Sequence, residues 1–275
     1  MKKFLIVGAL CAVVLAACSS EPEETLVGIR ASTDPAIGDS RFLFAVNEIG
    51  GERRGSPDEL VTYTATPLDA PGTALSGEAS FVWVVPNGFG LYKADVPFDT
   101  AGMWEFEFSV STGENTEPFL VLVAEEPATV AVGENAPLVA SPTLSDTPVE
   151  DLTTDHPVQE SLYELSLDDA LQNGNKTVAI FATPAFCTSA ACGPMMTQAK
   201  DVSSSYPDVN WVHVEVYSGF NESGFVPDAD HLVPSVVAFG LPSEPWIFVM
   251  DESGVVTARL EGVLADGELE SLLDA

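Results

Sequence analysis

Between Leu26 and Val123 the apolar residues recur at every second position or gather in short runs closed by turn formers. Leu60–Thr66 is rich in β-branched residues, and Phe81–Val85 is a compact apolar run stopped by Pro86-Asn87-Gly88. Leu91–Val96 and Trp104–Phe108 alternate apolar with charged, with Thr100-Ala101-Gly102 as the turn between them, and Phe119–Val123 supplies a last strand. Period-two patterning with closely spaced turn signals predicts an antiparallel β-sandwich. Nothing in this stretch offers catalytic chemistry, since it contains neither Cys nor His.

The pattern changes after a Pro-, Glu- and Thr-rich transition at 126–157, expected to be linker and irregular lead-in. Ser166 can cap a short helix over Leu167–Gln172, with Gly174 as its stop. Thr177–Ala182 is a continuous apolar run of the kind buried on both faces. Ala191–Ser205 reads as helix, Asn210–Val216 as strand, Trp246–Met250 and Val255–Glu261 as a hairpin across Asp251–Gly254, and Gly267–Asp274 as a closing helix. The expected class is therefore two domains, an all-β sandwich over 26–125 and an α/β domain over 158–275. The stretch from Gly90 through Trp104 resembles the late strands of immunoglobulin-like modules, a likeness of architecture that says little about function.

The first residues read as an address. Lys2 and Lys3 precede an apolar run, Phe4–Ala17, too short for a comfortable membrane span. Its end, Leu15-Ala16-Ala17-Cys18, resembles a bacterial lipobox. That resemblance implies removal of residues 1–17, lipid on the Cys18 sulfur, a tether over 18–25, and an extracytoplasmic protein held at a membrane. The chain of 275 residues carries 10 basic and 42 acidic side chains, a net charge of −32. Losing both lysines would leave −32 − 2 = −34. Such a balance excludes non-specific nucleic-acid binding, which depends on cations displacing phosphate counterions.

Of four cysteines, Cys11 would leave with the leader and Cys18 would take the lipid, so Cys187 and Cys192 remain, in a compartment where a disulfide persists. Phe181 through Pro194 leaves an apolar strand and enters a helix, where free N–H groups and the helix dipole favour thiolate. From Val132 to Ala275 the chain resembles thioredoxin-like proteins, on this strand–Cys–helix passage and on Ser243-Glu244-Pro245 just before a strand. The resemblance implies a thioredoxin fold, a cis Glu244–Pro245 peptide with Pro245 packed against the sulfurs, and thiol–disulfide exchange with an exported partner, needing no cofactor beyond the disulfide. Two departures stand out. Four residues separate Cys187 from Cys192 where the family has two, and no buried acid is evident within Val178–Ala182. Either Cys187 attacks and Cys192 resolves, or Cys192-Gly193-Pro194-Met195 takes the family's Cys-Gly-Pro-Cys place and the roles reverse. Glu244 beside the proline would bring a carboxylate near the sulfurs and oppose thiolate formation.

Other readings of the same residues stay open. The pair could be a permanent staple in a binding module, although so short a loop gives little entropic stabilisation. It could ligate copper(I) with Met195, Met196, His213 or His231. A peroxidase pattern is poorly matched, since Pro184 lies eight positions before Cys192 and Arg259 falls inside a hairpin strand. His156 and the acidic loop Pro227–His231 read as solvated surface.

Overall fold

The computed structural model describes residues 26–50, 53–68 and 74–275. The leader, the tether and Cys18 lie outside the described residues. Nine strands come first: β1 (Leu26–Arg30), β2 (Gly38–Glu48), β3 (Arg53–Arg54), β4 (Val61–Pro67), β5 (Leu75–Val85), β6 (Phe89–Phe98), β7 (Gly102–Val110), β8 (Thr116–Glu117) and β9 (Phe119–Val123). They pair in the order β8-β1-β2-β6-β5-β4-β7-β9, with β3 on β2, and every pairing but β1 with β8 is antiparallel.

Two layers arise because β5 is long enough to serve both. Leu75–Ala79 pair with β4, while Ser80–Val85 pair with β6. Side chains from β2 and β6 then meet those from β4, β7 and β9 in one apolar core. Phe44 stacks on Phe108 and Phe42 on Phe106, with ring centroids 3.5 and 4.8 Å apart. The long strand β2, which supplies both phenylalanines, has no clean alternation outside its centre. That is why the hydrophobic pattern marks its region as β without delimiting it.

The second half contains α1 (Val149–Leu152), α2 (Leu167–Ala170), β10 (Thr177–Phe181), α3 (Cys192–Ser203), β11 (Asn210–Val214), α4 (Pro234–Ala238), β12 (Trp246–Met250), β13 (Val256–Glu261) and α5 (Glu268–Leu273). The sheet order is β11-β10-β12-β13, parallel between β10 and β11 and antiparallel elsewhere. This is a thioredoxin-like order, with α3 making the crossover that a parallel pair requires. Every residue of β10, β11 and β12 is buried, as their continuous apolar runs demand. Alternate residues face opposite layers. Val178, Ile180 and Ala182 pack on the side of α3 and α5, and Ala179 and Phe181 on the side of α2 and α4.

The lead-in is irregular but firmly held. Asn135 bridges Val255, Ala136 N–H donates to Gly254 O, and Thr129, Ser141, Thr143, Thr153 and Asp155 are buried. Ser166 occupies the N-cap position of α2, yet its hydroxyl bonds the Asp168 carboxylate and accepts from Ser141 N–H, so it does not cap the helix.

The two halves meet over a polar clamp. Arg41 makes a two-pronged pair with Glu268 (2.7 and 2.9 Å) and donates to the Glu261 and Val263 carbonyls. Lys93 adds a second cation to Glu268, and Arg259 pairs with Asp34 at 2.7 Å. The Glu261 carboxylate accepts from the N–H and hydroxyl of Thr33 and from the Ser243 hydroxyl. Beside this clamp Val82, Val84 and Leu91, on the outer face of the β-rich half, pack on Ala191 and Val263. The Arg41 side chain is only 9% exposed, and truncating it leaves the largely covered Glu268 carboxylate with Lys93 as its one cation among the described residues. Arg41→Ala should cost about 3 kcal/mol. In calorimetry it should split a single unfolding transition into two, one for each half.

Candidate redox site

Cys187 and Cys192 are joined by a disulfide, their Cα atoms 6.1 Å apart. Strand β10 ends at Phe181, and the connection to α3 spans Ala182–Ala191. Ala190 turns the chain through the left-handed region (φ 58°), which brings the second cysteine under the first. Cys192 is the first residue of α3 and is wholly buried, whereas Cys187 is half-buried in the loop. The sulfur facing outward is therefore that of Cys187, with the Ser189 hydroxyl 3.3 Å from it.

The Glu244–Pro245 peptide is cis, as is His156–Pro157. Pro245 is buried at the entry to β12, and Glu244 turns its carboxyl inward so that Oε2 lies 3.5 Å from Cys192 Sγ. Burial pushes the Glu244 carboxyl up to about 7; Thr183 offsets this in part, and the nearby Glu215 adds to it. Glu215, also buried, is likewise raised to about 7 by desolvation, against the opposing hydrogen bonds of Thr154.

Glu215 supplies the buried acid that a search of Val178–Ala182 fails to find. It lies one residue past β11, and Val216 N–H bonds the Thr183 hydroxyl there. The signal is present in Trp211-Val212-His213-Val214-Glu215-Val216. Val212, Val214 and Val216 belong to one apolar layer, and Trp211 belongs to the layer on the α3 side. By the period of two, His213 and Glu215 share the α3 side with Trp211. Polar residues at inward positions of a fully buried strand mark a polar site beneath the helix.

His213 is part of that layer. Its Nε2 is 3.0 Å from the Ala182 carbonyl, which can only accept, so Nε2 carries the proton. Nδ1 then accepts from the Tyr163 hydroxyl at 2.6 Å. Burial holds the imidazole down to about 4 and hence neutral. Asp155, from the lead-in, is buried against Lys200 of α3 at 2.7 Å.

The remaining candidates are dispersed. Met195 and Met196 are wholly buried in the apolar layer under α3, and both nitrogens of His213 are engaged. His231 pairs with Asp228 on a short 3-10 turn. Arg259 is held by Asp34 and Thr129, and His156 precedes the second cis proline.

The loop carrying the disulfide opens on a cleft of about 670 Å³ between the halves. Thr188, Ser189, Tyr217 and Glu244 line it on one side, and Ile29, Ala45 and Phe89 on the other. Asn47 Oδ1, buried in that far wall, has no hydrogen-bond partner among the described residues.

No protein-family model and no curated protein matches this chain. A solved structure from Chlorobium tepidum, provisionally described as the thiol:disulfide interchange protein DsbE, is similar over 53% of this chain and 96% of its own. The identity is 17% and the TM-score 0.36. No helix among the described residues is long and apolar enough to cross a membrane.

The buried histidine and the buried glutamate act on stability with opposite signs. His213 binds its proton near pH 4 when folded and near 6.5 when unfolded. Its contribution is full above about 6.5 and is lost as pH falls towards 4, by roughly 3 kcal/mol. Glu215 binds its proton near 7 when folded and near 4.5 when unfolded, so its neutral form favours folding and stability is lost as pH rises across that window. Glu244, likewise raised to about 7, adds a second contribution of the same sign as Glu215. Between about pH 4.5 and 6.5 the denaturant midpoint of the natural protein should therefore fall as pH rises, Glu215→Gln should flatten that fall, and His213→Phe should steepen it.

Proposed function

We propose that this chain is a thiol–disulfide oxidoreductase acting through Cys187 and Cys192, anchored outside the cytoplasm by lipid on Cys18. The observation that carries the reading is the Cys187–Cys192 disulfide itself, half-exposed at Cys187, set at the mouth of a 12-residue helix beside a cleft lined by Thr188 and Ser189, and flanked by a cis proline. Cys187 is the entry sulfur because Cys192 is sealed from solvent. In the reduced chain, Cys187 thiolate attacks a partner disulfide and one partner sulfur leaves with the electron pair, taking up a proton. Cys192 then attacks the Cys187 side of the mixed disulfide, which closes the pair and releases the second partner thiol. Two electrons pass to the partner, and the reverse sequence oxidises a partner dithiol.

Glu244 sets the pace of the second step. A carboxylate against Cys192 makes its thiolate costlier, so resolution is slow while the group is ionised. Glu244→Gln should speed the release of glutathione from a mixed disulfide preformed on Cys187, measured in a chelator, by up to roughly tenfold above neutral pH.

The immunoglobulin-like reading of the β-rich half fits a docking role. Its outer face carries Ile29, Ala45 and Phe89 on the wall opposite the disulfide. The partner is an exported thiol or disulfide protein whose cysteine-bearing segment enters between the halves.

Exchange with glutathione, followed by quenching, tests the assignment. The natural chain should equilibrate within its buffer range, Cys187→Ser should lose all exchange, and Cys192→Ser should accumulate a mixed disulfide on Cys187. A mixed disulfide trapped instead on Cys192 in Cys187→Ser would reverse the assigned roles. A pair that stays oxidised down to about −300 mV would make it a structural bond. Ile29→Glu should leave exchange with glutathione unchanged while slowing exchange with a protein disulfide such as insulin.

A further inference from the structure

Among the described residues, Cys187, Cys192 and Glu244 form a set of potential metal ligands whose donor atoms all lie within 4.8 Å of one another. Glu244 is the puzzling member. A carboxyl group placed 3.5 Å from a redox sulfur hinders the chemistry proposed for the pair. We infer that the reduced site is also a binding site for a thiophilic divalent cation, Zn²⁺ by its ligand chemistry, held by the two thiolates and the Glu244 carboxylate.

Geometry supports this. Tetrahedral Zn²⁺ with Zn–S near 2.3 Å and Zn–O near 2.0 Å sets adjacent sulfur and oxygen ligands about 3.5 Å apart. Cys192 Sγ and Glu244 Oε2 already have that separation. Four residues between the cysteines fall within the spacing common for zinc-binding pairs. Cα atoms 6.1 Å apart leave the freed sulfurs room to spread to the edge of a tetrahedron. Three protein ligands leave a fourth position, and the cleft beside Ser189 and Glu244 is where a water or a partner's thiolate would take it.

Ligand chemistry selects the metal. Two thiolates with one carboxylate suit a borderline divalent ion, while copper(I) favours sulfur and imidazole. The thioethers of Met195 and Met196 are packed in the core, and the His213 nitrogens are both engaged. Three anionic ligands would repel one another in a half-buried site, and a divalent cation removes most of that charge. Binding balances simply: Zn²⁺ enters, and the protons of the two thiols leave, together with that of the Glu244 carboxyl wherever it is still protonated. The disulfide has no thiolate to offer, so oxidation of the pair by a partner disulfide expels the metal.

The inference rests on the redox reading only in requiring that the pair can be reduced. The full chain in detergent, reduced with a phosphine and freed of it, is titrated with ZnCl₂ against a chromophoric chelator, with Co²⁺ in parallel as a spectroscopic stand-in. One equivalent should bind the reduced chain and none the oxidised one, with the intense Co²⁺ bands of tetrahedral thiolate coordination. Glu244→Gln should weaken binding by roughly tenfold or more, since even outer-shell losses cost that much. Cys187→Ser should remove one thiolate band contribution. No stoichiometric binding, unchanged affinity in Glu244→Gln, or weak octahedral Co²⁺ bands would overturn the inference. Glutathione exchange measured separately in excess chelator keeps the two readings apart. Exchange without metal binding removes only the zinc site, and metal binding without exchange removes only the oxidoreductase.

Discussion

Water is kept out of the space between α3 and the sheet, and every ionisable group there has to answer for it. Cys192, Glu215, His213 and Asp155 are all buried in that half of the chain. Each finds a different accommodation. The sulfur is bonded to Cys187, the imidazole stays neutral between Tyr163 and Ala182, Asp155 takes Lys200, and Glu215 leans on Thr154. Glu244 reaches into the same volume from the other side of the disulfide. Desolvation, more than any single charge pair, sets the chemistry of this centre.

The scarcity of cations gives the remaining architecture its logic. With 10 basic side chains against 42 acidic ones, four half-buried cations are placed where they join segments far apart in sequence. Arg41, Lys93 and Arg259 tie the β-rich half to the α/β half, and Lys200 ties α3 to the lead-in. The surplus of acid is left to the surface, where hydration carries it.

Much of the α/β half could be read from the sequence because its strands are buried on both faces. Trp246–Met250 was delimited to the residue, and β10 to within one, since a run of apolar residues cannot be anything but interior. The turn at Asp251–Gly254 was equally plain, its aspartate accepting from Ser253 and Val255 N–H. The β-rich half was legible as a class and not in detail. One of its two longest strands, β2, carries Arg41 and Asn47 between its apolar residues because part of its outer face meets the other half, where Arg41 pairs with Glu268 and Leu43 lies against Gly262. The helix α4 is too short, at five residues, to show a period. At the site, the two cysteines and the proline were visible as motifs. Glu215 was legible only in part: His213 and Glu215 alternating with valines flag a polar site in a buried strand, while the helix they lie beneath depends on the long-range pairing of β10 with β11.

One small junction ties the geometry together. Thr33 of the β-rich half and Ser243 share the carboxylate of Glu261 and touch each other at 2.9 Å, and Ser243 is the residue before Glu244. Tilting the outer wall of the cleft therefore tugs on the backbone that aims the carboxyl at Cys192. The two sides of the cleft are thus mechanically in series, and a load on the wall that carries Ile29 and Phe89 is passed through two hydroxyls and one carboxylate to the surroundings of the sulfurs.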